Sequence, residues 1–423
     1  MTITDPILPN QLTWPSIPPL VVDPLTARGE APPVGATVPP TPPTCGRHWA
    51  VVYGKYDPLT DTHPTIWQIP RPVMIRCEWE RVRDDPSRAR VDVGYASDCI
   101  DQVASLNVIN QNIGIYREGI LVYFGVITRL EFEEARVEIY AEDMLWFMRR
   151  RVLNPGYDNA TVGVNAIDHV NFMLWQSYFS FGFNPQGMVS ASEPYILPVL
   201  QTDAEKSNRA VNNWQITVHE DLEHQSQYTN IDYSTFGKAI YFWDFNTRWT
   251  GLDLPDLLES DVSSFPRVTQ YGNAAYTRAI RTDGSGYAGL YDEFSTPGST
   301  VTDEYFRNID FLMGNSEPND RDGPPSADTI ANWERVAKKT LSGRLPNQEL
   351  VAIPNGTTLM PSCTWNIDYT LAGSWFSITV ARAGRVVTSL LRLQSLRVVE
   401  TGEEGERISI TTTAAPDDWV TPT

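Results

Sequence analysis

"NIGIYREGILVYFGVITRLEFEEARVEIYAED" (112–143) determines the fold class of this chain. It holds three runs rich in β-branched and aromatic residues, which are 113–117, 120–132 and 136–141. Arg117-Glu118-Gly119 supplies a tight turn between the first two runs, and an acidic Glu133-Glu134-Ala135 turn separates the last two. This spacing predicts a compact unit of three antiparallel strands.

A second stretch repeats this design near the end of the chain. "ITVARAGRVVTSLLRLQSLRVVETGEEGERISITTT" (378–413) runs as strand, Arg-Ala-Gly turn, long strand, charged turn and strand. The two stretches agree in the order of elements and in turn chemistry more than in identity. We therefore predict the same three-stranded unit twice, in two separate small antiparallel β-barrel-like domains.

The middle of the chain has a different hydrophobic period. Helices are predicted at 165–182, 212–229 and 326–342, a hairpin at 232–245 and strands within 266–312. The predicted fold is mainly β with α+β insertions, in which two barrel-like domains flank a mixed α/β middle. The predicted domain boundaries are 47–153 for the first barrel, 154–265 and 266–345 for the middle, and 346–423 for the second barrel with its C-terminal tail.

Residues 1–46 form a proline-rich segment of their own, with twelve of the thirty-two prolines. Such a composition favours polyproline II and excludes a helix or a central strand. Apolar residues are spaced along the segment, so we interpret it as an extended assembly arm that docks on other chains. The arm residues predicted at that interface are Trp14, Ile17, Leu20 and Val21.

The composition limits the functions that this chain can have. Its 423 residues carry a formal net charge of −19, which argues against a surface that grips nucleic-acid backbone. The N-terminus lacks the features of a secretory signal, and the longest apolar run, 120–127, is too short to cross a bilayer. We expect a chain made without the secretory route, with no membrane insertion and no sequence-specific nucleic-acid binding.

Three motifs suggest chemistry that their surroundings do not support. The two histidines of "HEDLEH" (219–224) are five residues apart and miss the shared helix face of a zinc protease. "GSGYAG" (284–289) matches a dinucleotide loop but opens no helix, so a strand-to-strand turn is favoured. "NDRDGPPSAD" (319–328) lacks the first and last ligands of a calcium loop. The sequence predicts no catalytic residue, no cofactor and no metal site.

"EDMLWFMRRR" (142–151) concentrates positive charge at the end of a short predicted helix. Asp143 can cap this helix, and Arg149, Arg150 and Arg151 fall at its C-terminus, where the helix dipole favours cations. One interpretation is local capping with salt bridges to an acidic body. The other is a phosphate clamp, which would leave the three arginines with no carboxylate within salt-bridge reach.

Several motifs in order resemble those of one protein family. "REGILVYFGVITRLEF" and "ARVEIYAEDMLWFMRRRVLNP" are followed by "WQITVHEDLEHQSQYTNIDYSTFGKAIYFW" and "FPRVTQYGNAAYTRAIRTDG". Together they are similar to the tail hub (minor tail) proteins of long-tailed bacteriophages, particularly those that infect actinobacteria. The resemblance covers roughly 70–415 and leaves the proline arm outside it.

The resemblance implies a tail-hub architecture and a structural role without catalysis. It also implies that Asp143, Arg149, Arg150 and Arg151 lie at a domain or subunit junction, where an arginine pairs with a carboxylate rather than with a phosphate. It implies a homotrimer at the virion tail tip, assembled in the host cytoplasm, that joins the hexameric tail tube to a three-fold tip and lines the DNA exit channel. The implied partners are the distal tail and tube ring proteins, the tape measure protein, and tip or fibre proteins. A carbohydrate-binding or glycan-hydrolysing β protein acting on the host cell wall is the alternative, and a receptor-binding tip protein is a third possibility.

Overall fold

The structure of the chain is a computed structural model. It describes the longer segments 46–54, 64–94, 108–133, 136–143, 145–150, 253–270 and 349–415. It also describes the short pieces 164–165, 198–201, 206–207, 217–220, 222–223, 231–237, 239–244, 247–248, 276–282, 288–295, 308–313 and 421–422.

The described residues form mostly β-strands, as the sequence predicts. The first part of the chain contains β1 His48–Tyr53, β2 Thr65–Ile69, β3 Met74–Val82, β4 Arg88–Gly94, β5 Asn112–Arg117, β6 Ile120–Phe132, β7 Arg136–Asp143 and the helix α1 Leu145–Arg149. The middle contains β8 Val164–Asn165, β9 Pro198–Gln201, β10 Lys206–Ser207, β11 Ile231–Phe236, β12 Ala239–Asp244, β13 Thr247–Arg248, β14 Arg267–Gln270, β15 Tyr276–Thr282, β16 Ala288–Ser295 and β17 Asn308–Met313. The last part contains β18 Glu349–Ala352, β19 Thr357–Thr358, β20 Trp375–Arg382, β21 Arg385–Thr401, β22 Gly405–Ala415 and β23 Thr421–Pro422. Single 3-10 turns occupy Arg71–Val73 and Glu259–Asp261.

Both predicted three-stranded units are present, with boundaries close to the predicted ones. In the first unit β6 pairs antiparallel with β5 and β7, and in the second β21 pairs antiparallel with β20 and β22. The tight turns have the same backbone geometry, because φ is positive at Glu118 and Gly119 and again at Ala383 and Gly384. Positive φ at both central residues is the type I′ hairpin turn, which matches the twist of the flanking strands.

The two units lie in one sheet, so the prediction of two separate barrels is wrong. Eleven strands share this sheet in the order β19-β22-β21-β3-β4-β7-β6-β5-β1-β2, with β20 also paired to β21. The cause is the length of β21, which has 17 residues. Its first half pairs with β20, and residues 395–401 pair antiparallel with residues 76–82 of β3. One strand therefore joins the two units edge to edge.

The units also share their hydrophobic core. One cluster of buried apolar side chains includes Ile115 and Val122 of the first unit, Ile378 and Leu393 of the second, and Trp79 of the strand that joins them. Burial of a large apolar side chain contributes about 1.5–3 kcal/mol. Each unit therefore depends on the other for part of its stability.

The middle of the chain is described in pieces, which test only some of the predictions. The hairpin predicted at 232–245 is confirmed as β11 paired with β12, and β14 to β17 confirm the strand character of 266–312. The helix predicted at 212–229 is observed at 218–220 and 222–223, and it starts later than predicted because Thr217 and Glu220 form a capping box. Asn165 lies in β8 rather than in a helix. The rest of the 165–182 helix and all of the 326–342 helix fall outside the described residues.

Candidate assembly site

Asp143 ends β7, and its buried carboxylate joins three other elements. Leu145 N–H donates to Oδ1 at 3.0 Å, so the predicted capping of α1 by Asp143 is confirmed. Ser87 N–H, before β4, and the Thr235 hydroxyl, on β11, donate to Oδ2 at 2.8 and 2.6 Å. Burial raises the pKa of Asp143 to about 7, and the hydrogen bonds from Thr235, Ser87 and Leu145 limit that rise. A group that changes charge near neutral pH therefore holds β7, α1, the β4 entrance and β11 together.

The arginines of α1 occupy an exposed position. Arg149 Nη2 lies 2.8 Å from Asp85 Oδ1, and Nη1 lies 3.7 Å from Glu142 Oε2. The side chains of Arg149 and Asp85 are 36% and 54% exposed, and such pairs contribute only about 0–1 kcal/mol. The Arg150 guanidinium lies 4.0 Å from the centroid of the Trp146 ring.

These contacts decide between some of the interpretations of α1. A phosphate clamp requires arginines with no carboxylate in reach, and Arg149 has two. Both carboxylates belong to the predicted 47–153 domain, so Arg149 does not show the expected partner from a neighbouring domain. Leu145 and Met148 of the helix are buried, whereas Arg151 and the side chain of Phe147 lie outside the described residues. The interface role of Asp143 and the three arginines stays a prediction.

A buried ion pair that no sequence motif indicates lies between β11 and β21. Arg392 Nη2 is 2.6 Å from Asp232 Oδ2, and both side chains are at most 1% exposed. Arg83, at the end of β3, approaches the same carboxylate oxygen to 3.8 Å and lies 3.2 Å from Asp84. Burial lowers the pKa of Arg392 to about 10 although Asp232 opposes the shift, so the guanidinium stays charged at neutral pH. The pair fastens the hairpin of the middle segment to the sheet.

Arg81 is a second buried arginine, held in a different way. Its side chain is 1% exposed, and its guanidinium lies 4.7 Å from the Trp79 ring centroid and 4.1 Å from that of Phe236. The guanidinium also donates to the backbone carbonyl oxygens of Val122, Ile367, Asp368 and Thr370. Arg81 therefore ties β6 and β11 to the loop before β20.

A buried imidazole–carboxylate pair joins the first strand to the end of β21. His48 Nδ1 lies 2.6 Å from Glu400 Oε2, and Trp79 Nε1–H donates to His48 Nε2 at 2.9 Å. Because an indole nitrogen can only donate, Nε2 accepts and the imidazole proton lies on Nδ1, directed at Glu400. Burial alone would raise the pKa of Glu400, but the hydrogen bonds from His48 and Arg47 N–H, together with the charge of Arg71, lower it.

This pair has no arrangement suited to catalysis. The side chains of His48 and Glu400 are 0% and 5% exposed, so substrate has no access to them. A nucleophile would have to hydrogen-bond Nε2, and that position is occupied by the Trp79 donor. The pair is structural.

Arg117 completes the connection between the two units. Its guanidinium binds Glu406 of β22 with two hydrogen bonds, of 2.7 and 2.8 Å, and Asp368 with one of 2.6 Å. Burial alone would lower the pKa of Arg117, but these carboxylates outweigh it and raise the pKa. Bidentate arginine–carboxylate pairs are stronger and more directional than single contacts. The Arg117-Glu118-Gly119 turn of the first unit is thus anchored on the last part of the chain.

The structure describes two of the three motifs with possible chemistry, each in part. "GSGYAG" connects β15 to β16, which pair antiparallel, so it is a strand-to-strand connection as predicted. His219 is buried, and burial lowers its pKa, whereas His224 and residues 319–328 lie outside the described part of the chain. Within the described part, no three His, Cys, Asp or Glu side chains are grouped closely enough to hold a metal ion. No helix there is long and apolar enough to span a membrane.

Comparison with known proteins gives a match in fold. No protein-family model and no curated protein sequence matches the chain. The 43 kDa tail protein of prophage MuSo2 from Shewanella oneidensis is 12% identical, with a TM-score of 0.51, over 89% of this chain and 99% of that protein. A tail protein from Neisseria meningitidis MC58 is 11% identical, with a TM-score of 0.49, over 88% and 97% of the two chains. Prophage tail protein gp18 from Listeria monocytogenes EGD-e is 8% identical, with a TM-score of 0.47, over 85% and 93%. The similarity to the Shewanella protein shows a shared fold.

Proposed function

We propose that the chain is a structural component of a phage tail, and more closely the hub at the tail tip. The observation that carries this proposal is the occurrence of two β units of the same design in a chain with the fold of a phage tail protein. If three chains assemble, their six units offer similar surfaces to a six-membered ring. Such a trimer can join a hexameric tube to a three-fold tip.

The partners follow from this position. The ring side contacts the distal tail and tube ring proteins and the tape measure protein, and the other side contacts tip or fibre proteins. A net charge of −19 suits a channel through which DNA passes without sticking, because like charges repel. The arrangement needs no cofactor and no catalysis.

The wall-glycan alternative gains no support from the described tryptophans. Sugar-binding clefts commonly stack sugar rings on exposed tryptophans, yet every tryptophan whose side chain the structure describes is buried. The buried carboxylates of Asp143, Asp232 and Glu400 are hydrogen-bonded or paired with arginine or histidine. A glycosidase instead holds two carboxylates across an open cleft.

The test is the oligomeric state of the full chain, followed by its place in the particle. Light scattering on the purified chain should give three times the mass of one chain, and a reconstruction of the intact tail should place it at the tip. A chain that stays monomeric at high concentration, or density along the tube instead of at the tip, contradicts the hub. Hydrolysis of host wall glycan by the purified chain would favour the alternative.

A further inference from the structure

Three large apolar side chains stand exposed on one surface of the described chain. Leu258, Phe265 and Met360 are 61%, 80% and 42% exposed, and we call them the Phe265 patch. The backbone brings the two contributing loops together, because Met360 N–H donates to Asp261 O at 2.8 Å and Val262 bridges Leu359 antiparallel. Grouped apolar residues on a surface indicate a site of interaction.

The patch is built on a fixed framework. The Asp261 carboxylate accepts hydrogen bonds from Leu258 N–H at 2.9 Å and from the Ser362 hydroxyl at 2.8 Å. Arg382 pairs with Glu259 at 2.7 Å, and its guanidinium lies 5.8 Å from the Phe265 ring centroid. These contacts hold the loops in place and leave the Phe265 side chain 80% exposed.

The proline arm carries a matching apolar face. In "WPSIPPL" (14–20), Trp14, Ile17 and Leu20 occupy every third position. Polyproline II has three residues per turn, so these side chains fall on one face of the helix. The three prolines in the same stretch favour that conformation. Proline-rich segments of this kind dock on surfaces with exposed aromatic rings.

The arm leaves the body close to the patch and is long enough to reach a second copy of the chain. Arg47 is fixed at the start of β1, since its N–H donates to Glu400 at 3.1 Å and its side chain pairs with Glu406 at 3.3 Å. From Glu406, β22 runs only about 14 Å to Ile410, which pairs with Thr357 beside the patch. Fully extended as polyproline II, the chain from Leu20 to residue 46 would span about 80 Å, several times that distance, so the arm is long enough to reach the patch of a second copy in the proposed assembly.

We propose that Trp14, Ile17 and Leu20 of one chain pack on the Phe265 patch of a second copy of the chain. This inference rests on the self-association in the proposed function. Residues 1–45 hold only Asp5, Asp23, Arg28 and Glu30 as charged residues, and none lies within 14–20. The docking therefore buries apolar surface on both sides without burying a charge of the arm.

The direct test is a disulfide between two full-length chains. Chains with Ile17→Cys and chains with Leu258→Cys are made separately, mixed and oxidised, and the cross-linked peptides are identified by mass spectrometry. A 17–258 link in a species of twice the chain mass is expected. The oxidised wild type and each single variant control for the four native cysteines. A double variant that links only within one chain would overturn docking on a second copy.

A matched pair of substitutions tests the patch itself. Phe265→Asp should release the arm, so that proteases cleave within residues 1–45 at least tenfold faster than in the wild type. Phe132→Asp is the control, because Phe132 is 58% exposed but lies on β6, away from the patch. Equal cleavage in both variants overturns the inference.

If the chain is trimeric but shows no 17–258 link, only the arm inference fails. If the wild type is monomeric, both the arm inference and the hub proposal fail.

Discussion

Asp143 makes the stability of the fold depend on pH. Its pKa is raised from 3.8 to about 7 in the folded chain, so the folded state binds the proton more tightly than the unfolded state. The stabilisation is complete below about pH 4 and is lost as pH rises to about 7. At most about 1.4 kcal/mol is lost for each pH unit in that window.

Asp143→Asn should remove this pH dependence. The amide does not titrate, so the wild type should lose its advantage over the variant between pH 5 and pH 7.5. Asn replaces one carboxyl oxygen with an NH2 group, which then faces the N–H donor of Ser87 or Leu145 and cannot accept from it. The variant should therefore be less stable than the wild type at pH 5, by about 1–3 kcal/mol. Urea unfolding at both pH values measures the difference, and an unchanged difference would contradict the raised pKa.

The two kinds of arginine should respond very differently to substitution. Arg392→Met leaves the Asp232 carboxylate buried without its nearest partner, at a cost of about 3–5 kcal/mol. Arg149→Ala removes an exposed pair with Asp85 and should cost less than about 1 kcal/mol. The urea midpoints of the two variants compare them directly, and equal destabilisation would refute the contrast.

At the level of single residues, the sequence indicates local contacts and misses distant ones. The capping of α1 by Asp143 involves Leu145, two positions away, and an Asp at the start of a predicted helix indicates it. The partners of Arg392 and Arg117 lie far away in the chain, and no spacing rule connects them. Their pairing depends on which strands become neighbours in the sheet.

The strands were predictable because each is encoded locally. Enrichment in β-branched and aromatic residues on both sides of the Arg-Glu-Gly turn sets the bounds of β5 and β6 within one residue of those observed. The pairing of β3 with β21 is not encoded in this way, since it joins residues 76–82 to residues 395–401, which are far apart in the sequence. This pairing is what turns two predicted barrels into one sheet.

The turn glycines should contribute equally in the two units. Gly119 and Gly384 have φ of 95° and 77°, and a Cβ added to either meets no atom within 4 Å. Replacement by Ala therefore costs only the strain of the left-handed backbone, about 1–2 kcal/mol at each position. Gly402→Ala is the control, because it also has open space and lies outside that region of φ. Thermal unfolding of the three variants should group the first two together and leave the third near the wild type.

On the scale of the whole molecule, the sheet and the buried ion pairs make the first and last parts of the chain one structural body. β3 lies between β4 and β21, so removal of the C-terminal part would leave one edge of β3 unpaired. The same removal would leave Arg117 without Glu406 and Asp368, and His48 without Glu400. Buried groups that lose such partners cost about 1–3 kcal/mol each, and more when they are charged.

A fragment of residues 47–153 should therefore fail to fold alone, although the sequence predicts it as a domain. The shared core would also lose Ile378 and Leu393, and an exposed strand edge of this kind favours aggregation. Proton NMR of the fragment should show poorly dispersed amide signals, and addition of a 346–423 fragment should restore dispersion if the missing partners are the cause. Dispersed signals from the 47–153 fragment alone would show instead that the first unit is an independent domain, and that the contacts with β21 and β22 only dock it against the second.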